Sequence, residues 1–263
     1  MRAAYREHIY ECGDYVEVDI YPVFKTQPKH RRARWRETTE TQQRLNEENA
    51  ARKVVRLANI NFTSKDIRFD LTYDPEHLPP TAKEAQHQMQ LFIRRVKRAR
   101  ARLGLPDLKY IAVTEEPENG GRYHHHIIMS GGMDVNDLSE LWGMGYTSVK
   151  PLRFDKHGIR DLASYIVKGK LLNKHWCASQ NLARPVERIR TANIAQYKVK
   201  VLVREAESAS EEFEKLYATE YPGFRFASVR TADNEVNGFG YITLRLYNPA
   251  RPQSRCGSKG GQQ

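Results

Sequence analysis

Between Thr81 and Leu103, the residues Ala85, Met89, Phe92, Val96, Ala99 and Leu103 recur at steps of four and three. Since 3.6 residues complete a helical turn, this spacing draws one apolar stripe along an α-helix. Thr81 with Glu84 forms a capping box at its start, and Gly104 followed by Pro106 stops it. Such a stripe has to be buried against a second layer, and its neighbours in sequence are strands. Ile67–Tyr73 precedes it, closed by a Pro-containing turn. After it, "LKYIAVTEEPENGGRYHHHIIMSGG" supplies two apolar runs separated by Asn-Gly-Gly, a hairpin signature. Strand, helix and hairpin in that order fit a ferredoxin-like β-α-β-β plan. The expected fold is α+β: a central antiparallel sheet, the histidine strand in its middle, with flanking helices.

The surroundings of this block are less constrained. Residues 1–56 read as an N-terminal extension with a strand in "DYVEVDIYPVF", where Val16, Val18 and Ile20 alternate with Tyr15, Glu17 and Asp19. A charged helix follows over about 37–56. The block 57–175 continues with "MDVNDLSELWGMG", a short helix capped by Asp134 and ending near Gly143, then a strand in "YTSVKPLRF" and a helix in "GIRDLASYIVKGKLL". Residues 176–248 are a second extension, less regular until a final strand in "NGFGYITLRLYN". The Gly/Ser/Pro/Gln-rich tail 249–263 is expected to be disordered.

A formal net charge of +11 favours a polyanionic partner, because each neutralised phosphate releases condensed counterions. Arg94, Arg95, Lys97 and Arg98, with Arg100 and Arg102 beyond them, put cations without an acid on the 81–103 helix and are candidate DNA contacts. "HRRARWR", which contains Trp35, is a candidate origin contact, whereas Trp142 is expected to pack beneath its short helix. No apolar run reaches the roughly 18 to 20 residues needed to span a membrane. "MRAAYREHIYECGDY" lacks the apolar core of a signal peptide, and three scattered cysteines suit a reducing, cytoplasmic setting.

Three consecutive histidines interrupt the second hairpin strand. In a strand, residues i and i+2 share a face, so His124 and His126 point one way and His125 the other. Two imidazoles about 7 Å apart along the backbone can converge on a cation if a third ligand joins them. Glu115 and Glu116 end the partner strand, one on each face; Glu115 is preferred, with Glu116 the alternative. The competing reading is a polar face of an exposed strand. Two imidazoles and a carboxylate with open positions suit Mn²⁺ or Mg²⁺ holding a phosphate oxygen.

On the helix read from "GIRDLASYIVKGKLL", Ile159, Leu162, Ala163 and Ile166 make the apolar stripe. Tyr165 falls about 110° from its centre, and Lys168 lies three residues on, close enough to share a target. A tyrosine is more often packing than chemistry, but this one is off the stripe and paired with a lysine.

Taken together, these segments resemble the HUH endonucleases, and among them the single-tyrosine rolling-circle replication initiators of phages, plasmids and integrated elements. "FDLTYD" at Phe69–Asp74 is similar to the family's first motif. "HHH" at His124–His126 matches His-hydrophobic-His with His125 in the hydrophobic position, and "YIVK" at Tyr165–Lys168 matches Tyr-x-x-Lys. The resemblance covers about residues 60–172. It implies a metal centre of His124, His126 and Glu115 or Glu116, with Mn²⁺ or Mg²⁺ as cofactor. It further implies nucleophilic attack by Tyr165 assisted by Lys168, a 5′-phosphotyrosine, and a free 3′-OH able to prime synthesis. The implied substrate is single-stranded origin or hairpin DNA, and the implied partners are a host helicase and polymerase.

Relaxases and single-tyrosine transposases would share these residues. An RRM-like nucleic-acid-binding module without a metal is the non-enzymatic alternative. A 2-His-1-carboxylate iron oxygenase fits poorly, since neither its ligand order nor a small-molecule site agrees with so basic a chain. Origin sequence and oligomeric state are not encoded in any motif.

Overall fold

In the computed structural model the described residues are 4–23, 40–116, 121–155, 158–159, 175–192, 197, 199, 201, 203, 209–234 and 239–250. The chain is α+β and divides into two compact units, each built on its own five-stranded antiparallel sheet. The expectation of one central sheet is corrected on this point.

The first unit contains β1 (Ala4–Glu11) and β2 (Tyr15–Val23), and later in the chain β10 (Val186–Thr191), α4 (Ala209–Ala218), β11 (Arg225–Asn234) and β12 (Phe239–Tyr247). Its sheet order is β10-β1-β2-β12-β11, so strands from the segments read as two extensions pair with each other. Val16, Val18 and Ile20 of β2 enter its core with Ile9, Leu244, Leu246 and Tyr217. The polar positions of β2 are not solvated either: Tyr15 and Glu17 are buried, with the phenol donating to the carboxylate at 3.0 Å.

The second unit holds the histidine strand. Most of α1 (Glu40–Asn61) belongs to it, followed by β3 (Ile67–Thr72), α2 (Ala82–Arg102), β4 (Tyr110–Glu115), β5 (His124–Met129), α3 (Val135–Trp142) and β6 (Thr147–Pro151). Two-residue strands β7 (Phe154–Asp155) and β8 (Gly158–Ile159) come next, then β9 (His175–Ala178). Ile159, expected on a helical stripe, therefore lies in a strand. The sheet order is β6-β3-β5-β4-β9, which puts β5 in the middle as expected.

Strand alternation gives this sheet two different faces. Phe69, Leu71, Ala112, Ile127 and Met129 meet Met89, Phe92, Ile93 and Val96 of α2 and Leu138 and Trp142 of α3. On the other face Ile111, Val113 and Ile128 meet Ala51, Val54, Leu57 and Ala58 of α1. Burying such stripes stabilises by roughly 1.5–3 kcal/mol per large apolar side chain.

The helix ends follow the sequence signals. Thr81 Oγ1 accepts from Glu84 N at 3.2 Å, and Asp134 caps α3 by accepting from Asn136 N at 2.8 Å. Gly143 closes α3 with φ at 60°, in the left-handed region where a side chain would be strained. Two positions on α2 differ from expectation. Leu103 caps the C-terminus and is exposed, because the chain turns away before it can reach the sheet. Arg100 is buried; its guanidinium donates to the carbonyls of Pro106, Ser130 and Gly131, making it a structural cation. Trp142 is fully buried, with Nε1 donating to Thr72 O at 3.2 Å, so it packs as expected. Among the described residues, no helix is long and apolar enough to cross a membrane.

Candidate metal and strand-cleavage site

The antiparallel register of β3, β5 and β4 determines which side chains meet. Thr72 lies opposite His124, and His124 lies opposite Glu115. Two residues along, Asp70 lies opposite His126. Directly opposed residues share a face. All five side chains therefore stand on the face that α1 partly covers, opposite α2.

Within this cluster Glu115 reaches diagonally. It is paired in register with His124, yet its Oε2 lies 3.0 Å from His126 Nε2. The carboxylate thus adjoins both imidazoles. Glu116, the alternative ligand, follows the end of β4.

Both histidines are held from behind by β3. His126 Nδ1 donates to Asp70 Oδ1 at 2.7 Å, and His124 Nδ1 lies 3.0 Å from Thr72 Oγ1. Asp70 also accepts from Arg68 Nε at 2.8 Å. Burial pushes the Asp70 carboxyl up, but the hydrogen bonds from His126 and Arg68 outweigh it and hold the group below its ordinary value. Burial lowers the His124 pKa, and neighbouring His126 and Arg122 add to this against the opposing pull of Glu115 and Asp70. The ring is thereby kept neutral, the form in which an imidazole ligates.

Asp70 and Thr72 are functional candidates that motif reading passed over. They occupy alternate positions of "FDLTYD", and Phe69, Leu71 and Tyr73 between them enter the core. Their period of two was visible, but the identity of the strand beside β5 was not. Arg122 is a third such residue; Nη1 donates to Tyr73 O at 3.1 Å, anchoring a cation close to His124.

His125 points into the α2–α3 core and is 0% exposed. Nε2 lies 2.8 Å from Tyr73 Oη and Nδ1 3.0 Å from Thr114 Oγ1, so both ring nitrogens have partners. Burial, with the two adjacent histidines, drives its pKa down to about 3. It is therefore a neutral packing residue. His125→Leu is expected to lower unfolding free energy by about 1–3 kcal/mol, because Tyr73 and Thr114 lose a buried partner. Cation affinity should stay unchanged; urea melts and metal titrations of the same variant check both halves.

The donor chemistry fits a hard divalent cation. Two imidazoles and a carboxylate on one partly exposed face form an N,N,O set, and the Asp70–His126 pair is the outer hydrogen bond that such ligands ordinarily carry. Among the described residues, no group of three His, Cys, Asp or Glu side chains is already drawn around one point. In this arrangement His126 and Glu115 bond to one another.

The remaining expected residues are not all brought together. Arg94, Arg95, Lys97 and Arg98 lie on α2, across the sheet from the histidine pair. Arg95 Nη2 donates to Trp142 O at 3.4 Å, and Lys97 Nζ sits 5.6 Å from the Tyr110 ring centre. Tyr165, Lys168 and the basic stretch with Trp35 lie outside the described residues.

Among known proteins, residues 68–170 match the family model of the replication-associated proteins of the ORF2 type. That span is less than half of the 263-residue chain and includes His124, His126, Glu115, Tyr165 and Lys168. No curated protein and no solved structure matches the chain.

Proposed function

We propose that this chain is a rolling-circle DNA replication initiator of the HUH type, which nicks and rejoins single-stranded origin DNA through a tyrosine. The carrying observation is Glu115, opposite His124 in register and bonded to His126, on a central strand of an antiparallel α+β unit. Three further points support it: the family match over residues 68–170, the ordered motifs within that span, and the +11 charge. The strand order around β5 also suits the ferredoxin/RRM-like architecture of that class.

In this reading His124, His126 and Glu115 hold Mn²⁺ or Mg²⁺, which when bound supplies Lewis-acid polarisation of a nonbridging phosphate oxygen. The protein's own residues do the rest. Tyr165 Oη attacks phosphorus, the P–O3′ bond breaks, and the 3′ oxygen takes up a proton to leave a free hydroxyl. Lys168 favours the phenolate over the phenol, whose ordinary pKa is near 10. The phosphotyrosine conserves the phosphodiester bond, so a later 3′-OH can attack it and release Tyr165. Host helicase and polymerase act on the product. Relaxase or transposase chemistry would use the same groups.

Asp70 fixes the His126 ring so that Nε2 faces Glu115. Asp70→Asn is expected to weaken Mn²⁺ binding by about 10–100-fold, the usual effect of losing such an outer partner. Calorimetric titration of the variant measures it.

The reading is tested by end-labelled single-stranded DNA from the protein's own replicon, incubated with and without chelator. Site-specific cleavage restored by Mn²⁺ is expected. DNA binding without cleavage in any divalent metal would favour the RRM-like module.

A further inference from the structure

The row of side chains through the site continues beyond β3 onto the edge strand β6. Thr72 N donates to Tyr146 O at 2.9 Å and Tyr146 N donates to Thr72 O at 3.0 Å, a mutual pair that extends the β3–β6 ladder by one residue. Tyr146 therefore shares the face of Thr72, and the row reads Tyr146, Thr72, His124, Glu115 across four strands. Ser148 lies opposite Asp70 and Lys150 opposite Arg68, so both stand on the same face as Tyr146. All three are exposed, Tyr146 at 67%.

This placement is enforced locally. Gly145 has φ at 140°, and a Cβ there would collide with the backbone of Thr72 and Asp74. Asp74 N also donates to Met144 O at 3.0 Å. Only a glycine lets the chain enter β6 this close to β3, and the next residue is the exposed aromatic.

A large ring left in water beside a polar, cation-ready row has no packing role to explain it. Its position is two strands, roughly 10 Å, from His124. An aromatic platform flanked by a hydroxyl and an ammonium is the combination that holds unpaired nucleotides, the ring stacking on a base and the cation meeting a phosphate. We infer that the site-side face of β6 is a single-strand track, with Tyr146 stacking a base next to the scissile phosphate and Lys150 contacting the backbone. The inference rests on the proposed nicking function for the word "scissile" alone; the track itself is a binding claim.

Binding of a short 2-aminopurine-labelled single strand to the full chain, without added metal, tests it. Tyr146→Ala is expected to weaken binding about tenfold and to abolish quenching of the stacked base, with Tyr146→Phe restoring both because the ring is retained. Lys150→Ala is expected to weaken binding and flatten the salt dependence by about 0.7 in log–log slope, the value for one phosphate on a single strand. Wild-type affinity in Tyr146→Ala would overturn the inference. So would a Tyr146→Phe variant as weak as the alanine, which would place the effect on the hydroxyl. Exposure of both side chains makes misfolding a poor explanation for any loss, and thermal melts of each variant check it. Wild-type protein that binds through Tyr146 but never cleaves would remove the nicking function and leave the track standing.

Discussion

His126→Ala is expected to abolish stoichiometric Mn²⁺ binding and to reduce single-strand cleavage by about 10²–10⁴-fold, with His124→Ala close behind. The size follows from the several kcal/mol of charge stabilisation that a bound cation supplies at a phosphoryl centre, at tenfold per 1.4 kcal/mol. His126 has the larger role because it touches both carboxylates, Asp70 at 2.7 Å and Glu115 at 3.0 Å. Its loss takes the bridging imidazole from between those two acids, although Asp70 keeps Arg68 at 2.8 Å. The fold should therefore persist, and melting measured without metal separates a lost site from a lost structure. His125→Leu supplies the contrast: reduced stability with cation affinity intact, because that ring faces Tyr73 and Thr114 in the core.

Tyr165→Phe is expected to eliminate the covalent protein–DNA species entirely while leaving Mn²⁺ affinity as in the wild type. Phenylalanine preserves the ring and most of the volume, so packing changes little, but the attacking oxygen is gone. The effect is all-or-none for the adduct, unlike the graded loss expected for Lys168→Ala, where the phenol remains but its ionisation is less favoured. If Tyr165→Phe still formed an adduct, another nucleophile would have to be assigned.

Much of the site unit was legible because its signals are periodic. The three-and-four spacing of α2 reports its buried stripe directly, and period two separates His124 and His126 from His125. Two kinds of information were not periodic. Register came first: Glu115 and Glu116 sit one on each face, and only the β4–β5 pairing places Glu115 opposite His124. Strand adjacency was the other, since nothing in "FDLTYD" says that β3 lies beside β5 and offers Asp70 and Thr72 to the histidines. Arg100 shows a related difficulty, because a cation in a basic run reads as solvated until carbonyls are found around it.

The other sheet was poorly legible for a physical reason. In β1 the inward positions include Glu7 between Tyr5 and Ile9, so the apolar alternation is broken where Arg190 of β10 pairs with it at 2.6 Å. All six residues of β10 are exposed, leaving no buried face for a pattern to record. Charge pairing across strands, not apolar period, joins that edge, and single-sequence patterning is blind to it.

The most direct test of the account is a digest of the reaction between the full chain, Mn²⁺ and its replicon's single-stranded DNA, followed by mass mapping of the modified peptide. The account predicts a 5′-phosphate linked to Tyr165, a free 3′-OH on the released fragment, and no adduct when His126 is replaced by alanine. Cleavage with no covalent species, or an adduct on a different tyrosine such as Tyr146, would contradict it.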